Sequence, residues 1–304
     1  MAAAGFCLLA LVGPYLACHP PTQTDTRQRL KGPSTTHPLG NDHLGRCLYS
    51  RIVSGARSSV GIGLLVVAAG LMPGVLIGLL AGYMGGALDN LLMRITDIFL
   101  TIPEILAAMT LAGLLGPSTA NLVLALGAVG WMRYARVIRG QVLSLRERNY
   151  VKAARLCGLS TPAIFFWHIL PGCLSSITVL ATVGLSKSIL AISSLGFLGF
   201  GVQPPDPEWG TLLMDGKRYL LVAPHLSIFP GLVVMGSVLA FNLSGDALAQ
   251  WWRSKDQAPP AEEGLPGRAI RLRLRHPNPN PAEPQEDGRL REPGRQTRRS
   301  ESAL

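Results

Sequence analysis

The chain has 304 residues, 48% of them hydrophobic and only 15% charged, with a mean hydropathy of +0.31. Soluble domains carry about 25% charged residues, so this composition argues against an ordinary water-soluble enzyme and for a protein dissolved in a bilayer. A net charge of +10 invites a nucleic-acid reading, but aromatics are 6% and no recognition motif accompanies the basic residues, which cluster between apolar runs and in the tail.

Residues 1–17 are apolar and uncharged and are expected to form a first transmembrane helix, clipped at its start, because a crossing takes roughly 17–25 residues. The competing reading is a signal peptide with Ala17-Cys18 as a lipoprotein-type processing site, but no Lys or Arg precedes the apolar run. Residues 18–59 are polar and are read as an extracytoplasmic loop. Its histidines (His19, His37, His43) and cysteines (Cys18, Cys47) follow no standard ligand spacing, so no metal site is expected. Five cysteines without a C-x-x-C pair give no disulfide framework, and Cys18 and Cys47 are not expected to bond.

Residues 60–83 carry no charge and are read as a transmembrane helix. Gly61, Gly63, Gly70, Gly74 and Gly78 include small-xxx-small spacings that let helices approach closely. A short turn at residues 85–90 is followed by a third span at 98–115 and a tight turn at Gly116-Pro117-Ser118. The fourth span, 121–131, continues helically into Arg133, Arg136 and Arg139, read as a helix leaving the membrane with its cations in water or headgroups. A fifth span covers 174–200, a turn-rich loop 201–210, and a sixth span 226–243. Residues 257–304, rich in Pro, Arg and Glu, are expected to be a disordered cytoplasmic tail.

The fold class is therefore an all-α membrane protein with six transmembrane helices, five of them in a core at residues 60–248. Six crossings place both termini on one side, and the dense cations at 133–155 make that side the cytoplasm. Arg27, Arg29, Lys31, Arg46, Arg51 and Arg57 in the 18–59 loop count the other way.

Between the fourth and fifth spans lies a charged island, residues 146–171. Read as a helix, Tyr150, Ala153, Ala154 and Cys157 share a smooth face and Arg148, Lys152 and Arg155 the opposite basic face. Gly158 suits the left-handed residue that ends a helix. Ser160 or Thr161 then caps a second helix with Pro162 in its first turn, and this almost wholly apolar helix is expected to stop at Pro171. An apolar helix-turn-helix outside the bilayer exposes a patch that needs a partner. The rival is an amphipathic segment lying on lipid.

The run Tyr150-Val151-Lys152-Ala153-Ala154-Arg155-Leu156-Cys157-Gly158 through Ile169-Leu170-Pro171 resembles the EAA loop of ABC-importer permeases, most closely the second permease of dipeptide, oligopeptide and nickel systems. The likeness extends in order through His37-Pro38-Leu39-Gly40, Gly82-Tyr83, Leu91-Leu92-Met93-Arg94, Ser194-Leu195-Gly196-Phe197-Leu198-Gly199, Gln203-Pro204-Pro205, Trp209-Gly210 and Phe241-Asn242-Leu243, covering about residues 18–246. The resemblance implies a type I importer permease with the MetI-like fold in a bacterial inner membrane. Its partners would be a homologous permease, two ABC ATPase subunits, an extracytoplasmic substrate-binding protein and membrane lipid. The cargo would be a di- or oligopeptide, with nickel or a metal–chelator complex as the alternative. No cofactor is expected in this chain; ATP and Mg²⁺ would be held by the ATPases. The coupling loop would comprise Tyr150, Lys152, Ala153, Ala154, Gly158, Ile169, Leu170 and Pro171.

Against the family pattern, Lys152 stands where the signature has its acid and Asn149 where another acid is common. Cys47 replaces a frequent Asp, Ile192 a Glu common in peptide-type members, and Lys187 a small residue. Ionisable residues within spans tend to face a pathway or pair internally, so Lys187 is expected to line the translocation path and favour a carboxylate-bearing cargo; a structural ion pair is the rival. Glu104, near a span end, is read as snorkelling. Neither H-E-x-x-H nor G-x-S-x-G occurs, so no catalytic residue is expected, and without a Walker A sequence ATP hydrolysis falls to another subunit. A stand-alone channel or a structural membrane anchor leaves the apolar island unexplained.

Overall fold

Residues 2–256 are described in a computed structural model; the expected tail at 257–304 lies outside the described residues. The helices are α1 (Ala2–Val12), α2 (Leu48–Met84), α3 (Gly86–Leu100), α4 (Glu104–Leu115), α5 (Thr119–Arg146), α6 (Asn149–Leu156), α7 (Thr161–Ile164), α8 (Leu170–Phe197), α9 (Trp209–Lys217) and α10 (His225–Asp256). A π-helical turn, Phe165–Ile169, joins α7 to α8. Among the described residues there is no strand, only an isolated bridge between Asn41 and Cys47. The cysteines are all free, Cys47 buried and Cys18 exposed.

Helix α2 is the axis, packing along α5 and against α8, α1, α3 and α9. At 1.5 Å per residue its 37 residues span about 55 Å, well beyond a hydrocarbon core of about 30 Å. It starts at Leu48, not at residue 60. Arg51, 3% exposed, does not interrupt it, because its guanidinium lies 3.6 Å from Asp42 and 3.9 Å from Asp215.

Glycines set the α2–α5 contact. A Cβ on Gly74 would lie 2.6 Å from the Trp131 carbonyl oxygen, and one on Gly78 2.5 Å from that of Ala135. The two backbones touch there, as small residues at four-residue spacing allow. Gly70 continues this seam, Gly63 faces Leu185 and Ile189 of α8, and Gly61 faces open space and takes no part.

Among the described residues, three helical stretches are long and apolar enough to cross a membrane: Leu48–Met84, Thr161–Phe197 and His225–Ser254. The expected third span is two helices, α3 and α4, bent by 83°, and counts as a fourth crossing if the pair is one. Pro103 sits at the bend as the N-cap of α4, where it cannot continue α3. Helix α1 is short of a crossing, and α5 is interrupted by its arginines.

Those arginines do not simply emerge into solvent. Arg133 pairs with Glu104, Arg136 with Asp97, and Arg139 donates to both carboxylate oxygens of Asp89 at 2.5 and 2.7 Å. Glu104 is thus the partner of an α5 cation, and the charged stripe of α5 is zipped to α3 and α4 by a ladder of ion pairs. The second island helix does not stop at Pro171 either. Pro171 falls in the first turn of α8, where a missing N–H is tolerated, and the π turn carries the chain into it without a break.

At the head of α2 the loop 201–208 folds back over the helix. Trp209 is fully buried and donates its indole N–H to the Ile52 carbonyl at 3.0 Å. Glu208, also fully buried, caps α9 by accepting from the N–H groups of Gly210 and Thr211 at 2.7 and 3.0 Å, and Ser59 donates to it at 3.3 Å. Burial pushes its carboxyl up to about 6, against the pull of those three donors.

Candidate functional site

The island folds as two short helices hinged at Gly158, whose φ of +78° is the left-handed conformation that glycine adopts without strain. Ser160 is the N-cap of α7, through backbone conformation rather than a side-chain bond, and Pro162 lies in its first turn.

The inward face of α6 is Val151 with Ala154, packed on Leu145, Ile164 and Ile169. Tyr150, Ala153 and Cys157, expected to share a face with Ala154, turn outward with Gly158. Ile169 is buried beneath the π turn, Leu170 is half-buried and Pro171 exposed, while Tyr150 stacks on His168 with centroids 6.3 Å apart.

The outer surface is apolar. Leu156 is 88% exposed and Trp167 78%, with Phe166 and Leu159 beside them in the exposed set. Lys152 also faces outward, but its ammonium lies 2.9 Å from Glu147, so the acid missing at the signature position reappears five residues earlier, neutralised. Lys152 in turn holds the Glu147 carboxyl below its ordinary range.

Two bonds tie this loop to the foot of α2. The Tyr83 hydroxyl donates to the Thr161 carbonyl, and its ring packs on Phe165 with centroids 5.0 Å apart. At the other end of the loop, Arg146 donates to the Gly82 carbonyl at 2.9 Å. The island is thus bonded to the foot of α2, which packs on α5 and α8.

Further along the bundle an opening is lined by Val66 of α2, Glu104 of α4, Arg133 and Tyr134 of α5, and Gly184 and Lys187 of α8. Lys187 is exposed, and among the described residues no carboxylate lies within 4.0 Å of it, since Glu104 is taken by Arg133. The opening thus presents a free ammonium beside a partly neutralised guanidinium, an arrangement that attracts a carboxylate. Sequence reasoning singled out Lys187 but not Arg133 or Glu104 as its neighbours. The signal was present in three acids and three arginines standing in otherwise charge-poor segments.

A family model described as "Binding-protein-dependent transport system inner membrane component" matches residues 74–255. The chain is 42% identical over 243 residues to the dipeptide transport system permease protein DppC of Alkalihalophilus pseudofirmus, covering 80% of each chain. It is 44% identical over 218 residues to the glutathione transport system permease protein GsiD of Pectobacterium atrosepticum, covering 72% of each. The nickel transport system permease protein NikC of Escherichia coli is 37% identical over 241 residues, with 79% of this chain and 87% of the relative covered.

Proposed function

The chain belongs to the family of binding-protein-dependent transport system inner membrane components, and from that membership we propose that it is the permease subunit of an ATP-driven importer of di- and oligopeptides. The observation that carries the mechanism is the exposed apolar surface of Leu156, Leu159, Phe166 and Trp167, bonded to the foot of α2 through Tyr83 and Arg146. Apolar side chains this exposed outside a bilayer call for a protein seat.

In this reading the island docks into a groove of an ABC ATPase, with Tyr150, Lys152, Ala153, Ala154 and Gly158 on the outer helix and Ile169, Leu170 and Pro171 where it joins α8. ATP and Mg²⁺ belong to two ATPase subunits; this chain performs no chemistry. A homologous permease completes the path and an extracytoplasmic binding protein delivers cargo. The fold is the MetI-like type I arrangement with six crossings, counting α1, α2, the bent α3–α4 pair, α5, α7–α8 and α10. Both termini lie in the cytoplasm with the island. Closure of the ATPases shifts the island between two positions, and the bonds at Tyr83 and Arg146 pass that shift to α2. The ATPases bias a two-state bundle by differential contact.

Lys187 lines the path and favours a cargo with a carboxylate. Peptides are supported by the dipeptide and glutathione permeases among the relatives; the nickel relative makes a metal–chelator complex the second reading.

Two experiments test this. Leu156 is 88% exposed, so Leu156→Asp leaves the packing of the isolated chain intact and removes apolar area from the docking surface. Co-purification of the ATPase should be lost while the permease still folds; an intact complex would point to a loop that rests on lipid. In proteoliposomes holding the whole importer, ATP-dependent dipeptide uptake is expected, and Lys187→Gln should reduce uptake of peptides with a free carboxylate more than of amidated ones. Unchanged selectivity with lost assembly would make Lys187 a structural residue.

A further inference from the structure

The polar segment ahead of α2 gathers His19, His37 and Cys47, which lie 18 and 10 residues apart in the chain, a spacing that matches no ligand motif. One ligand atom from each falls within 4.8 Å of the others. The imidazoles of His19 and His37 stack with centroids 4.6 Å apart. Each has a buried Nδ1 with no hydrogen-bond partner among the described residues, and the Cys47 thiol is free and buried. Orphaned buried nitrogens cost free energy, and two of them beside a thiol mark a place where a ligand belongs.

The backbone holds each of the three independently. The His19 N–H donates to the Ser50 hydroxyl at 3.1 Å. The His37 carbonyl accepts from the N–H groups of Ser34 and Gly40, each at 2.9 Å, and its own N–H donates to the Ser34 hydroxyl at 3.1 Å. Cys47 pairs with Asn41 in the isolated bridge and is the N-cap of α2. We propose that His19, His37 and Cys47 form a binding site for one borderline-soft divalent cation of the zinc class. Two imidazoles and a thiolate are its preferred donors, with the fourth tetrahedral position left to solvent or to another donor. Tetrahedral ligand edges of roughly 3.3–3.8 Å follow from zinc–nitrogen and zinc–sulfur bond lengths, so the cluster needs only a contraction of its side chains. The bound ion would clasp the segment around His19 to the head of α2. This site concerns the chain alone and does not depend on what the transporter carries.

The test uses the full chain, purified in detergent under reducing conditions and titrated with Co²⁺ and then Zn²⁺. One Co²⁺ per chain with a thiolate-to-cobalt charge-transfer band is expected, displaced by one equivalent of Zn²⁺. Cys47→Ser should abolish the band, and His37→Gln should weaken binding at least about tenfold, whereas Cys18→Ser should leave both unchanged. No band at saturating Co²⁺, or a band undiminished in Cys47→Ser, overturns the assignment. X-ray absorption of the zinc-loaded wild type needs no variant: a shell of two imidazole nitrogens and one sulfur supports the site, and a shell without sulfur sinks it.

Discussion

At the head of α2, Asp42, Arg46, Arg51 and Glu208 are buried, yet each has its partners within the chain. At its foot, Leu156, Phe166 and Trp167 stand exposed on a loop whose inner face is fully packed. The head buries charges and pairs them, while the Nδ1 atoms of His19 and His37 stay without a partner among the described residues; the foot instead exposes apolar side chains. One helix thus joins an end held by buried charge pairs to an end with an exposed apolar surface.

The largest expected effect falls at the head. Asp42 accepts from the Nε of Arg46 at 2.6 Å and lies 3.6 Å from that of Arg51. Asp42→Ala leaves two buried guanidiniums with only Asp215 nearby, and removing one member of a buried ion pair costs about 3–5 kcal/mol. Thermal unfolding in detergent should show this loss. A melting temperature within a degree of wild type would mean that these buried charge pairs do not hold the head together.

Next comes the pH response of Glu208. Its carboxyl stands at about 6 in the fold against an ordinary 4.5. Below about 4.5 it is protonated in both folded and unfolded chains. Between 4.5 and 6 the folded chain keeps a proton that the unfolded chain releases, so stability falls as pH rises, by about 2 kcal/mol in all at about 1.4 kcal/mol per unit. Glu208→Gln should be less stable at acid pH, since its NH₂, a donor only, would face the N–H group that the second carboxyl oxygen accepts from. The difference between wild type and Glu208→Gln should therefore shrink from pH 4.5 to 6.5; a constant difference would show that the carboxyl does not titrate there.

The smallest effect on folding is expected at the foot. Trp167→Ser removes an indole that touches little within the chain, and such surface changes stay within about 0.5 kcal/mol. Its effect on ATPase co-purification should nonetheless be at least about tenfold, as for an aromatic anchor at an interface. Destabilisation as large as that of Asp42→Ala would erase the distinction between the two ends.

Helix existence was legible from local signals. The uncharged run from residue 60, the Gly158 break and Pro162 in a first turn are encoded within a few residues, and the structure places a helix, a left-handed glycine and an N-terminal proline there. The glycines at 70, 74 and 78 announced a close contact that they indeed make. Charge was read less well. Arg51 marked a loop and Arg133, Arg136 and Arg139 an exit from the membrane, because a sequence shows where a cation lies but not which acid meets it. Glu104 lies 29 residues from Arg133, Asp97 39 from Arg136 and Asp89 50 from Arg139.

The sequence by itself determined the all-helical apolar character, the hinged island and its family. Periodicity, glycine, proline and composition act over a turn or two of chain, and a reader needs nothing more distant to see them. Only the tertiary structure decided which face of α6 is buried, that α3 and α4 bend apart, that α5 is zipped by ion pairs, and that His19, His37 and Cys47 meet. Those are contacts between segments far apart in the chain, fixed by packing shape and charge pairing once the helices have come together.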